Sequence, residues 1–261
     1  MKILFLGDIV GQVGVDAVRD RVPTLVAEHA IDIVIANAEN ASGGSGMTPK
    51  QFRQLRGAGV DLVTMGDHIY KRSEIITVLK DDDRICKPAN FPREAPGRDA
   101  IVAPARDGTP VAVFSLLGRT FMRPVDCPFQ AADRVLSELA GKAKVIVVDV
   151  HAEATSDKYQ LLHFLKGRVS AVLGTHTHVP TADEQILGTT AFICDVGMTG
   201  PYESILGRRA DRVLAHSLDF VPTPFDVATG DVRLGGAIVE VDATTGHATA
   251  IARVVIPVVR A

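Results

Sequence analysis

Short apolar, β-branched runs alternate along the chain with stretches whose apolar residues recur at helical spacing. Residues 2–7, 32–36, 60–65, 111–116, 144–150, 170–173 and 190–194 read as strands. Several are apolar on both faces, Val145-Ile146-Val147-Val148 among them, the pattern of strands covered on both sides. Residues 236–242 and 249–256 flank Ala243-Thr244-Thr245-Gly246, which predicts a hairpin. Thr48 as N-cap with Pro49 at the first helical position predicts a helix to about Arg56. Ser73 is placed to cap a helix over 74–80. Residues 128–139 carry apolar residues at helical spacing, and 157–165 read as a short helix. The stretch 16–29 is amphipathic, and Pro23 within it predicts a kink or a split. Strand–helix alternation of this kind predicts an α/β sandwich.

Three segments resist assignment. Ser42-Gly43-Gly44-Ser45-Gly46 is flexible by composition. Residues 87–110 hold five prolines and read as irregular. Residues 118–129 mix Arg119, Phe121, Met122, Arg123 and Phe129, suited to an interface or a lid. With no repeat, low-complexity tract or linker, the 261 residues are expected to form a single domain over 1–261.

Composition narrows the setting. Hydrophobic residues make up 46% and charged residues 23%, as in ordinary globular proteins. A formal net charge of -3 gives no electrostatic case for a nucleic-acid surface. Small phosphorylated substrates remain compatible, because bound metals add local positive charge. Cys86, Cys127 and Cys194 are odd in number and lack CxxC spacing, which excludes a disulfide framework and a cysteine zinc site. Cys194 lies in an apolar run and is expected to be buried. The start, MKILFLGD, is too short in apolar residues for a signal peptide, and no run of 18 apolar residues predicts a membrane span. A cytoplasmic protein is expected.

The chemistry lies in the residues at the end of each apolar run. Asp8 comes after the first, Glu39-Asn40 after the second and Asp67-His68 after the third; His151 and then His176-Thr177-His178 come after later runs. Ligands bind beyond the carboxyl ends of strands in α/β sheets, so these groups converge if the strands lie side by side in parallel. Like charges gathered there repel unless cations sit among them. Carboxylates with three imidazoles and no thiolate suit manganese, iron or zinc better than calcium. Six or seven donors exceed one open site, so two ions are expected, with Glu39 as the natural bridge.

Plainer readings stand beside these. Asp8 alone reads equally as a strand-end turn residue, Asn40 as a loop cap, His68 as a structural hydrogen-bonding group and His151 as a core histidine. His176 and His178 alternate, so both face one side if the chain there is extended. His29, His163, His216 and His247 read as structural or solvated, and Asp81-Asp82-Asp83 as a solvated helix end. Glu153 and Asp195 read equally as partners of metal-bound histidines or as salt-bridge and cap residues. Gly7, Gly11 and Gly14 lack dinucleotide-binding spacing.

Taken in order, Leu6-Gly7-Asp8-Ile9-Val10-Gly11, Asn37-Ala38-Glu39-Asn40, Gly66-Asp67-His68, His151-Ala152-Glu153, Gly174-Thr175-His176-Thr177-His178 and Gly197-Met198-Thr199-Gly200-Pro201 form a distinctive set. The chain resembles the calcineurin-like metallophosphoesterases, and more closely their YmdB-like bacterial branch of cyclic-nucleotide phosphodiesterases. The resemblance covers essentially the whole chain. It implies a four-layer α/β/β/α sandwich and a dinuclear metal-dependent phosphodiesterase. One ion would be held by Asp8, Glu39, Asn40 and His178, the other by Glu39, Asp67, His151 and His176. Manganese or iron is expected, with zinc or magnesium as alternatives. A metal-bridging hydroxide would attack phosphorus, and His68, unligated, would serve the leaving oxygen as proton donor. The implied substrate is a small phosphodiester, a 2′,3′-cyclic nucleotide first and a 3′,5′-cyclic one second. A homo-oligomer is also implied.

The chain departs from the broad family's pattern. Val10 stands where a histidine is usual, and Asn40 is expected to fill the vacancy. Glu39 replaces the broad family's bridging Asp, as in the closer branch. Asp67 stands where the family has Asn, which makes the ligand charge -3 from Asp8, Glu39 and Asp67. That extra anion is expected to tighten metal binding and to weaken attraction for phosphate. Two other classes compete. A metal amidohydrolase usually places His-x-His after its first strand, whereas here Asp8 stands there. A regulatory or scaffold protein would carry a vestigial or weakly active site. Substrate-binding residues are not readable.

Overall fold

Alternation along the first strand, β1 (Lys2–Leu6), divides the core: Leu4 and Leu6 join one apolar cluster, Ile3 and Phe5 another. The computed structural model describes residues 1–258, so the last three residues of the expected domain over 1–261 lie outside the described residues. After β1 come β2 (Asp8–Ile9), α1 (Gly11–His29), β3 (Ile33–Asn37), α2 (Pro49–Gly57), β4 (Leu62–Thr64), α3 (Ile75–Asp81) and β5 (Ile85–Cys86). The chain continues through β6 (Ala100–Pro104), β7 (Pro110–Leu117), α4 (Pro128–Leu139), β8 (Val145–His151), α5 (Thr155–Leu165) and β9 (Ala171–Thr175). It closes with β10 (Gln185–Leu187), β11 (Thr190–Ile193), β12 (Met198–Pro201), α6 (Ala210–Asp219), β13 (Val232–Val241) and β14 (Ala248–Pro257).

These strands form two sheets. The first has the order β2-β12-β13-β1-β3-β4-β5, with β14 paired to β13. Within it β1, β3, β4 and β5 are parallel, and β13 runs antiparallel to β1 from Lys2↔Glu240 to Leu6↔Gly236. The second has the order β10-β11-β9-β8-β7-β6, with β7, β8, β9 and β11 parallel. Ile3, Phe5, Ile33 and Ile35 meet Val113, Val145 and Val147 between the sheets. Val15, Val18 and Val22 of α1 and Phe52 of α2 cover the first sheet's other face, while Val135 of α4 and Leu161 of α5 cover the second's. Three apolar seams therefore join four layers, α/β/β/α, as expected.

Several elements differ from the sequence reading. Helix α1 starts at Gly11 and runs unbroken past Pro23. Pro23 lies on the exposed side, where water can take the carbonyl that loses its partner, and Val22 and Leu25 hold both halves on the sheet. Thr48 caps α2 through a reciprocal box with Gln51. Ser73 does not cap α3; Glu74 holds that position without a side-chain bond. The proline-rich stretch contains β6, an edge strand with Pro104 at its end, where a missing N–H is tolerated. Helix α6 was not expected, and none of its residues is buried.

The 118–129 segment is tied down at several points. Asp157 accepts the backbone N–H groups of Arg119 and Thr120, Asp126 N–H donates to Asn90 O, and Met122 and Val125 pack on the core. All three cysteines are free, and burial pushes the Cys194 thiol up to about 11. Among the described residues, no helix is long and apolar enough to cross a membrane.

Candidate metal centre

The carboxyl ends of five strands meet on one rim, but they come from both sheets rather than from one. β1, β3 and β4 belong to the first sheet, β8 and β9 to the second. Asp8 opens β2 and is paired with Met198 of β12. Glu39 and Asn40 lie in the turn after β3, and Asp67 and His68 in the turn after β4. His151 is the last residue of β8, and His176 and His178 come after β9. The seven expected donors and His68 are thereby gathered in one place.

Glu39, Asp67, His151 and His176 can each offer one ligand atom, all within 4.8 Å of one another. His151 Nε2 lies 3.2 Å from Glu39 Oε1 and 3.2 Å from Asp67 Oδ1. His176 Nδ1 lies 3.0 Å from His151 Nε2 and 3.7 Å from Asp67 Oδ1. A second group adjoins it. His178 Nε2 is 3.8 Å from Asp8 Oδ1 and 3.2 Å from Asn40 Nδ2. His68 Nδ1 faces Asn40 Oδ1 at 2.7 Å and Glu39 Oε1 at 3.2 Å, and its backbone N–H donates to Glu39 Oε2.

A buried relay orients His151. Thr175 Oγ1 donates its single proton to Asp149 Oδ1 at 2.6 Å. It therefore accepts from His151 Nδ1, 2.8 Å away, and His151 carries its proton on that nitrogen. Nε2 then faces Glu39, Asp67 and His176, and is the nitrogen that would offer its lone pair to a bound cation. Asp149 also accepts from Thr64 Oγ1 at 2.6 Å and Asn37 Nδ2 at 2.9 Å. Burial pushes its carboxyl up although these donors pull it down. The sequence reading missed this relay. Its signal was a carboxylate inside a wholly buried apolar strand, β8.

The donor set fits cations. Asp8 Oδ1 and Glu39 Oε1 are buried oxygens without a hydrogen-bond partner, an arrangement that costs stability unless a cation is present. Burial raises the Asp8 carboxyl even against His178 and His151. Burial also opposes charge on Glu39, yet His151 and His68 outweigh it and hold Glu39 well below the usual carboxylate range. His151 shows the reciprocal effect: burial disfavours its charged form, but Glu39, Asp67 and Asp8 lift it well above the ordinary imidazole value. The field at the meeting point of these donors thus favours positive charge. Oxygen and imidazole donors without thiolate match manganese, iron, zinc or magnesium.

The His176–His178 segment is not extended. His176 and His178 have φ of 93° and 66°, a strained region for side chains with a Cβ. The two rings serve different neighbours, His176 the Glu39–Asp67 group and His178 the Asp8–Asn40 group. Glu153 Oε2 lies 3.2 Å from His176 Nε2, leaving Nδ1 toward the cluster. Asp195 acts one step away: it accepts from Thr177 N–H and Oγ1 and pairs with Lys158 at 2.8 Å, both buried. Gly66 has its own necessity. A Cβ there would overlap Glu39 Oε2 and the His151 ring, so only glycine lets these two donors meet.

A cavity of about 370 Å³ opens beside the cluster. Glu39, Asn40, His68, His176 and His178 contribute to its lining.

A family model described as YmdB-like protein matches residues 4–254. The chain is 43% identical to the 2′,3′-cyclic-nucleotide 2′-phosphodiesterase of Bacillus subtilis, over 98% of this chain and 97% of that protein. A crystal structure of a hypothetical protein from Thermus thermophilus superposes with a TM-score of 0.92 at 41% identity, covering 98% and 99% of the two chains. A novel phosphatase from Mycoplasma pneumoniae gives a TM-score of 0.91 at 29% identity, covering 98% of this chain and 93% of that one.

Proposed function

The chain belongs to the YmdB-like protein family, a family of phosphoesterases, and on that premise we propose that it hydrolyses 2′,3′-cyclic nucleotides with two divalent ions bound at the rim. 3′,5′-Cyclic nucleotides are the secondary substrate class in this reading. One observation carries it: two buried carboxylate oxygens, Asp8 Oδ1 and Glu39 Oε1, make no hydrogen bond, and imidazoles from the other sheet close on them, His151 Nε2 at 3.2 Å from Glu39 and His178 Nε2 at 3.8 Å from Asp8. Asp8, Glu39, Asn40 and His178 are assigned to one ion, and Glu39, Asp67, His151 and His176 to the other. Manganese or iron is the preferred pair, with zinc or magnesium next.

Bound divalent ions supply Lewis acidity toward the phosphate and lower the pKa of water. The chain's residues do the rest. Thr175 and Asp149 hold His151 in one tautomer, and Glu153 turns the His176 ring. Water adds to phosphorus and gives up a proton to solvent, the bond from phosphorus to one ribose oxygen breaks, and that oxygen takes a proton. His68 is the assigned donor of that proton. It lines the cavity and is steadied by Asn40 at 2.7 Å. A cytosolic setting accompanies this reading, supported by three free thiols. So does self-association, supported by α6, which buries none of its residues in this chain.

The test is turnover of 2′,3′-cyclic AMP by protein stripped with chelator and reloaded with Mn²⁺, beside Glu39→Gln. Activity should return with metal in the natural chain and stay lost in the variant. Full activity in chelator, or in Glu39→Gln, would overturn the assignment.

A further inference from the structure

The cavity beside the cluster has a second kind of lining. Leu206, Val213 and Phe225 contribute apolar surface to the space that His68 and His176 also line. Leu206 is 51% exposed and Phe225 40%, so this surface is open to water rather than part of the core. Two contacts hold it against the rim. Arg208 donates to Gly43 O and Gly44 O, in the loop after Asn40, and to Phe225 O. His178 Nδ1 lies 3.1 Å from Leu206 O. The Phe225 ring is itself positioned by His216, with ring centroids 5.4 Å apart at 70°.

Three polar side chains near this wall have protein partners. Thr177 Oγ1 donates to Asp195 at 2.7 Å, Glu153 is paired with His176, and Arg208 serves three backbone carbonyls. The space is thus amphiphilic, with charge-binding groups in one part of its lining and apolar side chains in another. A cyclic nucleotide is amphiphilic in the same sense, an anionic ring phosphate joined to a flat base.

From this match we infer that Leu206, Val213 and Phe225 form a stacking wall for the nucleobase, one that selects for a flat ring without reading which base it is. The inference rests on the phosphodiesterase reading above. Stacking is tolerant of base identity because every base has a π-face. Discrimination between bases needs hydrogen-bonding groups that would be left unpaired by the wrong one, and the three side chains of this wall carry none.

The experiment compares kcat/KM for the 2′,3′-cyclic phosphates of adenosine, guanosine, cytidine and uridine with that for glycerol 1,2-cyclic phosphate, which has no base. The Mn²⁺-loaded natural chain should turn over the four nucleotides within about tenfold of one another. Each should exceed the base-free ester by about tenfold or more. Phe225→Ala should lower the nucleotide-to-base-free ratio about tenfold, whatever happens to the common rate, and Phe225→Trp should restore it. Equal efficiency on base-free and nucleotide substrates would overturn the wall, and so would an unchanged ratio in Phe225→Ala. A preference for one base above about a hundredfold would overturn the claim of indifference. The natural-chain series decides the matter even where a variant fails to fold. Turnover of none of the five esters would remove the phosphodiesterase reading and this one with it, whereas turnover without a base effect removes this one alone.

Discussion

Asp8 uses its two carboxylate oxygens differently: Oδ2 accepts the backbone N–H of His176 at 3.0 Å, and Oδ1 lies buried without a hydrogen bond. The first bond ties the first sheet to the loop after β9. The second oxygen is a cost that a bound cation would remove. Mn²⁺ at about 100 times its Kd should add roughly 2.7 kcal/mol for each ion held, raising Tm by roughly 5–10 °C per ion for a chain of this size. Asp8→Asn keeps an acceptor for His176 but removes the charge. Its metal-free Tm should hold or rise, and its Mn²⁺ shift should shrink. Scanning fluorimetry with and without chelator reads both, and an equal Mn²⁺ shift in the two proteins would remove Asp8 from the metal site.

Asp67 lies 3.2 Å from His151 Nε2 and adds a third carboxylate to the donor set. Burial and the Glu39 charge push its carboxyl up, but His151 and His68 outweigh them and hold it below the usual carboxylate range. A unit charge about 5 Å from the phosphate, at an effective dielectric of about 20, opposes it by roughly 3 kcal/mol before screening. Asp67→Asn should therefore lower KM while loosening metal binding. Steady-state kinetics with metal content measured in parallel decides it, and an unchanged or higher KM with both ions retained counts against the charge argument.

Gly66 is fixed by the two donors it separates. Gly66→Ala puts a methyl group into the Glu39 carboxylate and the His151 ring, neither of which can move without leaving the cluster. The expected result is a loss of bound metal together with about 1–3 kcal/mol of stability. Metal analysis and urea unfolding check this, and full metal content at an unaltered midpoint would show that the rim can yield.

Thr175 transmits the Asp149 carboxylate to His151. Thr175→Val keeps the shape and removes the hydrogen bonds to His151 and Asp149, which leaves the imidazole free to change tautomer. Metal affinity should fall about 10–100-fold. Titration calorimetry measures it, and Thr175→Ser should recover most of the loss. Equal weakening in the serine and valine variants would mean that packing, not the relay, is at stake.

His68 touches Asn40 and Glu39 but is not among the four donors that meet within 4.8 Å. His68→Ala should cut kcat about 10²–10⁴-fold while metal content stays near normal. Retained kcat would reassign proton transfer to water.

Much of this site was legible because its signals are local. A polar residue after an apolar run marks a strand end, and Asp8, Glu39, Asp67, His151 and His176 all stand there. Thr48 and Gln51 specify the start of α2 between themselves. What was not legible depends on distant partners. Nothing near His151 says that its strand lies in a different sheet from that of Asp8. The positive φ of His176 and His178 accompanies bonds from His176 N–H to Asp8 and from Thr177 N–H to Asp195, partners outside the segment. β12, with glycine and proline among its four residues, has no strand propensity and exists because β2 and β13 pair with it. α6 lacks the buried stripe by which helices are recognised.

The antiparallel pairing of β1 with β13 also sets an order of assembly during synthesis. Asp8, Glu39 and Asp67 leave the ribosome before the histidines, but the strand ahead of Asp8 stays open along one edge until Gly236–Glu240 has emerged. His151, His176 and His178 are already outside the ribosome by then, so a nascent chain closes its rim only after every donor is present to compete for the ion.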